Sequence, residues 1–534
     1  MADAQSATAG GSAEDRLPPG TVMTLVAMGL GVLVIANDFT ALNVAIPSIE
    51  QDFDTNVDTA QWVINAYALV FGMAIVTGGR LADMFGRRRI FFIGTVLFAA
   101  FSALGAASPN VEVLIGCRVG MAIGGAMMWP AILGMTFAAL PASRASFAGA
   151  LILGVAGLGN SVGPLIGGAL SELSWRWIFV LNVPIAAFAV VVTYLKVHQD
   201  REGGAEERID YAGSAALSLG LLLLLLALDQ AVDWGWGDWR IIAMLALSVS
   251  LIVAFGFIEP RMGANALIPS DVAGNREFIS CCLVTLMLSA VFFSIVLYVP
   301  QYLQKILDYS PLAAGAGMLP MLGLFALSSF VAAPLYQRIG AKAIIAIGAL
   351  LMALGPFLLS LISEDSSYGA LIPGLAVTGI GVGLFLASIT TVAVTALDPS
   401  RSSLAGGLIY MFQIGGGAIG IGVMTTIFTS ASESEFADKV AAMGSKVTEQ
   451  QQHVIHGVLA GTESGKEALS LFGTNAAERV LEIVRDSFVV GIQTGFRVVA
   501  AVALVGFVVS LVFVGGKLFG RKREPVPPAA PSSG

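Results

Sequence analysis

The chain is written in long apolar blocks divided by short polar stretches. Blocks of 18 residues or more with almost no charge recur at 21–46, 61–81, 90–107, 112–134, 146–170, 177–196, 211–228, 241–259, 278–300, 312–333, 343–363, 371–394, 404–427 and 488–514. A helix of that length crosses a hydrocarbon layer about 30 Å thick. Buried helices of a soluble domain could account for one or two such blocks, but not for fourteen in series. The pattern therefore predicts an all-α polytopic membrane protein with fourteen spans.

Composition agrees. Of 534 residues, 56% are hydrophobic and 12% charged, about half the charged share of an ordinary soluble domain. The net charge of −8 says little, because its contributors lie in loops on two sides of a membrane. Cys117, Cys281 and Cys282 fall within or beside spans and read as small buried hydrophobes, without metal or disulfide spacing. Residues 1–18 lack the apolar core of a signal peptide, and the tail from Lys517 is basic, then rich in Pro, Ala and Ser, as in disordered tails.

Charge placement sets the orientation. One alternate set of loops, with both termini, holds 18 of the 28 basic residues. The opposite set holds 8, five of them in the long 430–487 segment, and its first loop carries Glu50, Asp52, Asp54 and Asp58 with no basic residue. Basic residues gather in short cytoplasmic loops, so the termini are expected inside. The densest cluster is GGRLADMFGRRR, starting at Gly79. Gly79 and Gly86 allow tight helix ends, and Asp83 can accept from backbone N–H groups at a helix start or pair with an arginine such as Arg87 or Arg88. A topology anchor needs only the arginines, so the acid and the glycines suggest a structural latch. An echo, APLYQRIGAKA at 333–343, aligns Leu335, Gly340 and Lys342 with Leu81, Gly86 and Arg88 at a constant offset of 254. Duplicated halves are how alternating-access carriers are built.

The expected organisation is a cytoplasmic segment 1–20, a six-helix bundle 21–196, a linker region 197–277 with two extra spans, a six-helix bundle 278–514 and a cytoplasmic tail 515–534. The inserted pair, with its leucine run at 221–226, reads as peripheral, and the tryptophans of DQAVDWGWGDWR as interfacial anchors. The external segment 430–487 is expected to form short amphipathic helices. His453 and His456 share a helical face there, but no third ligand follows at suitable spacing and no metal is expected.

Charges inside spans are expensive and by default functional candidates. Asp38 lies eight residues before the end of the first apolar block, and Arg118 sits in the fourth ahead of Gly120, Gly124 and Gly125. These two are expected to form the proton-coupling centre; alternatives are a structural Asp38 bonded through Asn37, Thr40 or Asn43, and an Arg118 snorkelling to the interface. The fifth block contains Gly159, Gly163, Pro164, Gly167 and Gly168, a kinked helix able to pack closely. Asn43, Trp62, Tyr67, Tyr298, Gln301, Tyr302, Tyr410 and Gln413 are candidates for lining an amphipathic cavity, with Phe292, Phe293 and Phe412 as further aromatics.

The turn resembles the loop signature G-x-L-A-D-x-x-G-R-[RK] of the major facilitator superfamily. The resemblance implies a fold of two six-helix bundles and a turn that locks helix ends when the transporter faces outward. NDFTALNVAIPSI, QWVINAYAL, RVGMAIGGA, WRWIFVLNVP, QYLQKILDYSPLAAGAGMLP and GGLIYMFQIGGGAIGIGV are similar to phrases of its fourteen-span drug:proton antiporters, and the glycine–proline run to their antiporter signature. The matches run from about 35 to 427. Ala41 and Met121 depart from the usual residues, and the thirteenth block has no acid, leaving Asp38 as the sole carboxylate expected deep in the core. That implies few protons per cycle and argues against dicationic substrates.

The expected function is proton-coupled export of small amphipathic or hydrophobic compounds, monocations included, across a bacterial cytoplasmic membrane by a monomer. A carrier dedicated to one native solute, such as a lipid, siderophore or self-made antibiotic, is the alternative; a membrane scaffold or receptor is a distant third. No G-x-x-x-x-G-K-[ST] phosphate loop occurs, and three histidines outside the spans supply no catalytic set. Neither an enzyme, a nucleotide-driven pump, a nucleic-acid partner nor a cofactor is expected.

Overall fold

The computed structural model describes residues 20–55, 57–197, 210–442 and 474–514. Among them are fourteen helices long and apolar enough to cross a membrane. They are α1 (Thr21–Phe53), α2 (Val57–Phe85), α3 (Arg87–Ala106), α4 (Val111–Ala139), α5 (Ala145–Ser171), α6 (Arg176–Lys196), α7 (Tyr211–Trp234), α8 (Trp239–Met262), α9 (Arg276–Lys305), α10 (Leu319–Ile339), α11 (Ala341–Leu359), α12 (Tyr368–Thr395), α13 (Ser402–Ala442) and α14 (Thr474–Phe513). Residues 1–18, His453, His456 and the tail from Lys517 lie outside the described residues.

Two six-helix bundles repeat one packing plan. In the first, α1 packs on α4, α5 and α6, α4 on α2 and α3, and α3 on α6. In the second, α9 packs on α12, α13 and α14, α12 on α10 and α11, and α11 on α14. The bundles meet along α2–α13 and α5–α10, with α4–α13 and α5–α12 as a second matched pair. The repetition reaches the backbone. A Cβ on Gly94 would lie 2.7 Å from the Gly124 carbonyl oxygen, and one on Gly124 would lie 2.6 Å from that of Gly94. Gly348 and Gly381 reproduce the reciprocal contact at 2.9 Å in the second bundle. Helices this close require the absence of a side chain.

The inserted pair divides in its behaviour. Apart from the short turn that follows it, α8 packs mainly on α7, and its Ile242, Leu247, Val249, Val253 and Phe257 are exposed, as expected of a peripheral helix. By contrast, α7 packs on both α2 and α13. Asn65 Nδ2 donates to Asp229 Oδ2 at 3.2 Å, and Trp236 Nε1 donates to Thr426 Oγ1 at 2.7 Å. The peripheral reading is therefore corrected for α7, which bridges the seam. Its leucines offer a solute nothing polar, but packing across two bundles needs no polar group.

The segment 430–487, expected to be external, also differs from expectation at its ends. Rather than separate short helices, the described parts are continuations of α13 to Ala442 and of α14 from Thr474. Lys439 on one pairs with Asp486 on the other, and Arg485 Nη2 reaches Asp308 Oδ2 at 2.9 Å.

Candidate functional site

The most buried charges meet inside the first bundle. Arg118 and Asp38 are 1% and 0% exposed. Arg118 Nη1 donates to Asp38 Oδ2, and its Nε donates to the Val63 carbonyl oxygen at 2.7 Å. The guanidinium lies over the Tyr67 ring, 4.1 Å from its centroid. The other carboxylate oxygen, Oδ1, accepts from Asn182 Nδ2 at 3.3 Å. Asn182 also donates to Ser102 Oγ at 3.2 Å, and Ser102 donates to the Phe179 carbonyl at 2.8 Å. One carboxylate thereby ties α1 to α4 and α6, with α2 and α3 joined through Val63 and Ser102.

This burial removes the snorkelling reading of Arg118. Asn37, Thr40 and Asn43 do not hold Asp38 either: Thr40 donates to the Ala36 carbonyl at 3.4 Å, and Asn43 to that of Phe39 at 3.1 Å. Sequence reasoning missed Asn182 as a site residue, although an amide amid apolar neighbours in WRWIFVLNVP was the available signal.

A cluster of aromatic rings adjoins the ion pair. Phe39 on α1 meets Tyr67 and Phe71 on α2 at 4.9 and 5.4 Å between centroids. Tyr410 on α13 meets Phe71 at 5.7 Å and Trp129 on α4 at 4.4 Å, so the cluster crosses the seam. Phe39 and Tyr410 are part-exposed, whereas Tyr67 and Trp129 are buried. The Tyr67 hydroxyl and Trp129 Nε1 have no hydrogen-bond partner in the protein. The other candidate lining residues separate. Gln301 and Gln413 are part-exposed, Asn43 is exposed, and Trp62 is half-buried near the start of α2. Tyr298 and Tyr302 leave the set: both are buried, and their hydroxyls already donate to Thr425 Oγ1 and the Ser363 carbonyl, each at 2.8 Å.

The glycines of α5 form two contact faces. A Cβ on Gly159 would lie 2.8 Å from Ala36 Cβ, one on Gly163 1.9 Å from Thr40 Oγ1, and one on Gly167 2.1 Å from the Ala41 carbonyl. This face presses on the segment of α1 that carries Asp38. Gly149, Gly154 and Gly157 instead meet Thr391, Phe330 and Ala326 of the second bundle. Pro164 and Gly168 approach Gly315 and Leu312, in the segment between α9 and α10.

The turn after α2 closes the seam at the face where α2 ends and α13 begins. Asp83 Oδ2 accepts from the Leu404 N–H at 2.8 Å and Oδ1 from the Ser403 N–H at 3.3 Å, both at the start of α13. A carboxylate is stabilised there by the unpaired donors and dipole of the helix. Arg87 Nε donates to the same Asp83 Oδ1 at 3.1 Å, and its Nη2 to the Pro399 carbonyl at 2.6 Å. Arg88 stays within its own bundle and donates to the Tyr194 carbonyl at 2.9 Å. Gly79 lets Ser403 approach, since a Cβ would lie 2.8 Å from its carbonyl oxygen, and Gly86 turns the chain with φ of 93°.

Two more carboxylates are buried at helix ends, next to Arg80: Asp210 and Glu259, 3% and 9% exposed. The Asp210 Oδ2 and Glu259 Oε2 atoms lie 2.0 and 3.1 Å from where a Cβ on Gly213 would sit. Among the described residues, Asp38 is the buried acid of a helix middle, and Asp83, Asp210 and Glu259 are buried at helix ends. The burial of Asp210 depends on Arg80 of α2 and Glu259 of α8 lying beside it.

The sequence model of the Major Facilitator Superfamily matches residues 28–421, and the chain belongs to that family of membrane transporters. Among similar proteins is the tetracenomycin C resistance and export protein of Streptomyces glaucescens, 29% identical, covering 94% of this chain and 92% of the relative. The puromycin resistance protein pur8 of Streptomyces alboniger is 35% identical over 78% of this chain and 83% of its own. The multidrug transporter protein MdtP of Bacillus subtilis is 27% identical over 94% and 95%. The crystal structure of the human organic anion transporter MFSD10 has the same fold, with a TM-score of 0.61 at 14% identity, covering 92% of this chain and all of the other.

Proposed function

We propose that this protein is a proton-driven exporter of small amphipathic or hydrophobic compounds. The observation that carries the reading is the buried Asp38–Arg118 pair, a titratable acid held against a fixed cation in the middle of a span. Arginine keeps its charge throughout, so a proton arriving at Asp38 cancels one side of the pair only. Arg118 retains the Val63 carbonyl and the Tyr67 ring, while α1 loses its charge link to α4. The α5 glycine face lies against that same stretch of α1, so a shift of α1 bears on α5 and through it on α10. Release of Asp83 from the start of α13 then opens the face where α2 ends and α13 begins.

The orientation that fits is inward termini in a bacterial cytoplasmic membrane, following the basic loops. The unit is a monomer, divided as 21–196, 197–277 and 278–514. Some relatives are named for single antibiotics and others as multidrug proteins, which keeps a dedicated exporter of one native compound as the second reading.

The test is proton release from inverted vesicles, followed with a pH-sensitive dye while compounds are added. Wild type should collapse the imposed gradient on addition of substrate, and Asp38→Asn at matched expression should not. Exchange by the variant at the wild-type rate would remove Asp38 from the mechanism.

A further inference from the structure

We infer that the aromatic cluster at the seam is a binding site for flat, uncharged aromatic compounds bearing carbonyl or quinone oxygens. The inference rests on the export reading and names its substrate class.

The rings come from both bundles. Phe39, Tyr67, Phe71 and Trp129 belong to the first, and Tyr410 belongs to the second. When the bundles part, the Trp129–Tyr410 and Phe71–Tyr410 contacts at 4.4 and 5.7 Å are the ones that must open. The slot so formed has aromatic faces and edges on both sides. A planar ring system inserted there exchanges ring–ring contacts for ring–ligand contacts of the same kind. Gly125 behind Tyr67 and Phe71 keeps the floor free of side-chain bulk: a Cβ there would lie 2.9 Å from the Tyr67 hydroxyl and 3.0 Å from the Phe71 ring.

The polar groups of the cluster define what the ligand carries. The Tyr67 hydroxyl and Trp129 Nε1 are buried without a partner in the protein, and indole N–H is a donor only. A buried donor left unsatisfied is costly, and a ligand acceptor oxygen removes that cost. The cluster has no anion to spare for a cation. Both oxygens of Asp38 are engaged by Arg118 and Asn182, and the guanidinium faces the Tyr67 ring. A lipophilic cation would find no unengaged carboxylate there, whereas an electron-rich oxygen meets donors.

Binding of a dihydroxyanthraquinone to the purified full chain in lipid nanodiscs, followed by the absorbance of the quinone, tests this. Tyr67→Phe and Trp129→Phe keep a ring and delete only the donor. Each should weaken binding by about fivefold to tenfold, and Tyr410→Leu by about tenfold. Excess tetraphenylphosphonium should not displace the quinone. Wild-type affinity in both donor-deletion variants, displacement by the cation, or no saturable binding to wild type would each overturn the inference. The vesicle assay separates the two readings: proton release with other compounds and no quinone binding sinks the cage alone. Quinone binding without proton exchange sinks the antiport reading alone.

Discussion

The turn after α2 and the turn after α10 share one backbone and differ in chemistry. Gly86 and Gly340 both adopt positive φ, 93° and 87°, and both turns lie beside a short 3-10 segment that precedes a long helix, α13 in one case and α5 in the other. At the offset of 254, Gln337 occupies the place of Asp83. Asp83 holds two backbone N–H groups of α13, whereas Gln337 Nε2 donates once, to the Ser143 carbonyl at 3.4 Å. The same contrast extends through the bundles. Among the described residues, the buried charged side chains are Asp38, Arg80, Asp83, Arg118, Asp210 and Glu259, all ahead of α9. A duplicated fold thus keeps its packing twice, because packing is what a helix bundle needs everywhere. Its charges are retained on one side, where a buried carboxylate can answer to a proton.

The largest test of this asymmetry is Asp38→Ala. Leaving Arg118 buried without its partner should cost about 3–5 kcal/mol, read as a lowered unfolding temperature in detergent. Adding Arg118→Met should return most of that stability without restoring transport. An Asp38→Ala protein that unfolds at the wild-type temperature would show that the pair carries no such weight. Next is Gly167→Leu, whose side chain would collide with the Ala41 carbonyl. Overpacking of this kind costs about 1–3 kcal/mol, and transport should fall while the protein still reaches the membrane.

Asp83→Asn should weaken the closed state of the α2–α13 seam by about 1–2 kcal/mol. The measurement is the spin-label distance between the end of α2 and the start of α13. Gln337→Ala should move the corresponding α10–α5 distance far less, and equal shifts would collapse the comparison. The smallest effect concerns pH. Ser400 donates its backbone N–H and its hydroxyl to Asp398 at 2.8 and 2.6 Å, holding that carboxyl below the usual carboxylate range. A depressed value stabilises above the unfolded pKa of about 3.9 and is lost only as pH falls through the folded value. Asp398 should therefore add no pH dependence to the turn preceding α13 between about pH 5 and 8. Asp398→Asn should leave the transport profile unmoved in that window.

The sequence by itself determined the fourteen helices, the duplicated turn, the family and the two charges of the ion pair. Each of these is a local property: apolar length sets a span, a glycine sets a positive φ, and a charge in an apolar block is conspicuous wherever it points. Tertiary structure decided what those residues touch. It brought Asn182 of α6 to Asp38 of α1, across 144 positions of chain. It buried Asp210 and Glu259 at helix ends and placed α7 across the seam. It also spent Tyr298 and Tyr302 on packing while leaving Tyr67 and Trp129 with free donors. A hydrogen bond or a ring contact is settled by distance in space, and in a bundle whose helices are all apolar the pattern along any one helix does not say which neighbour it will meet.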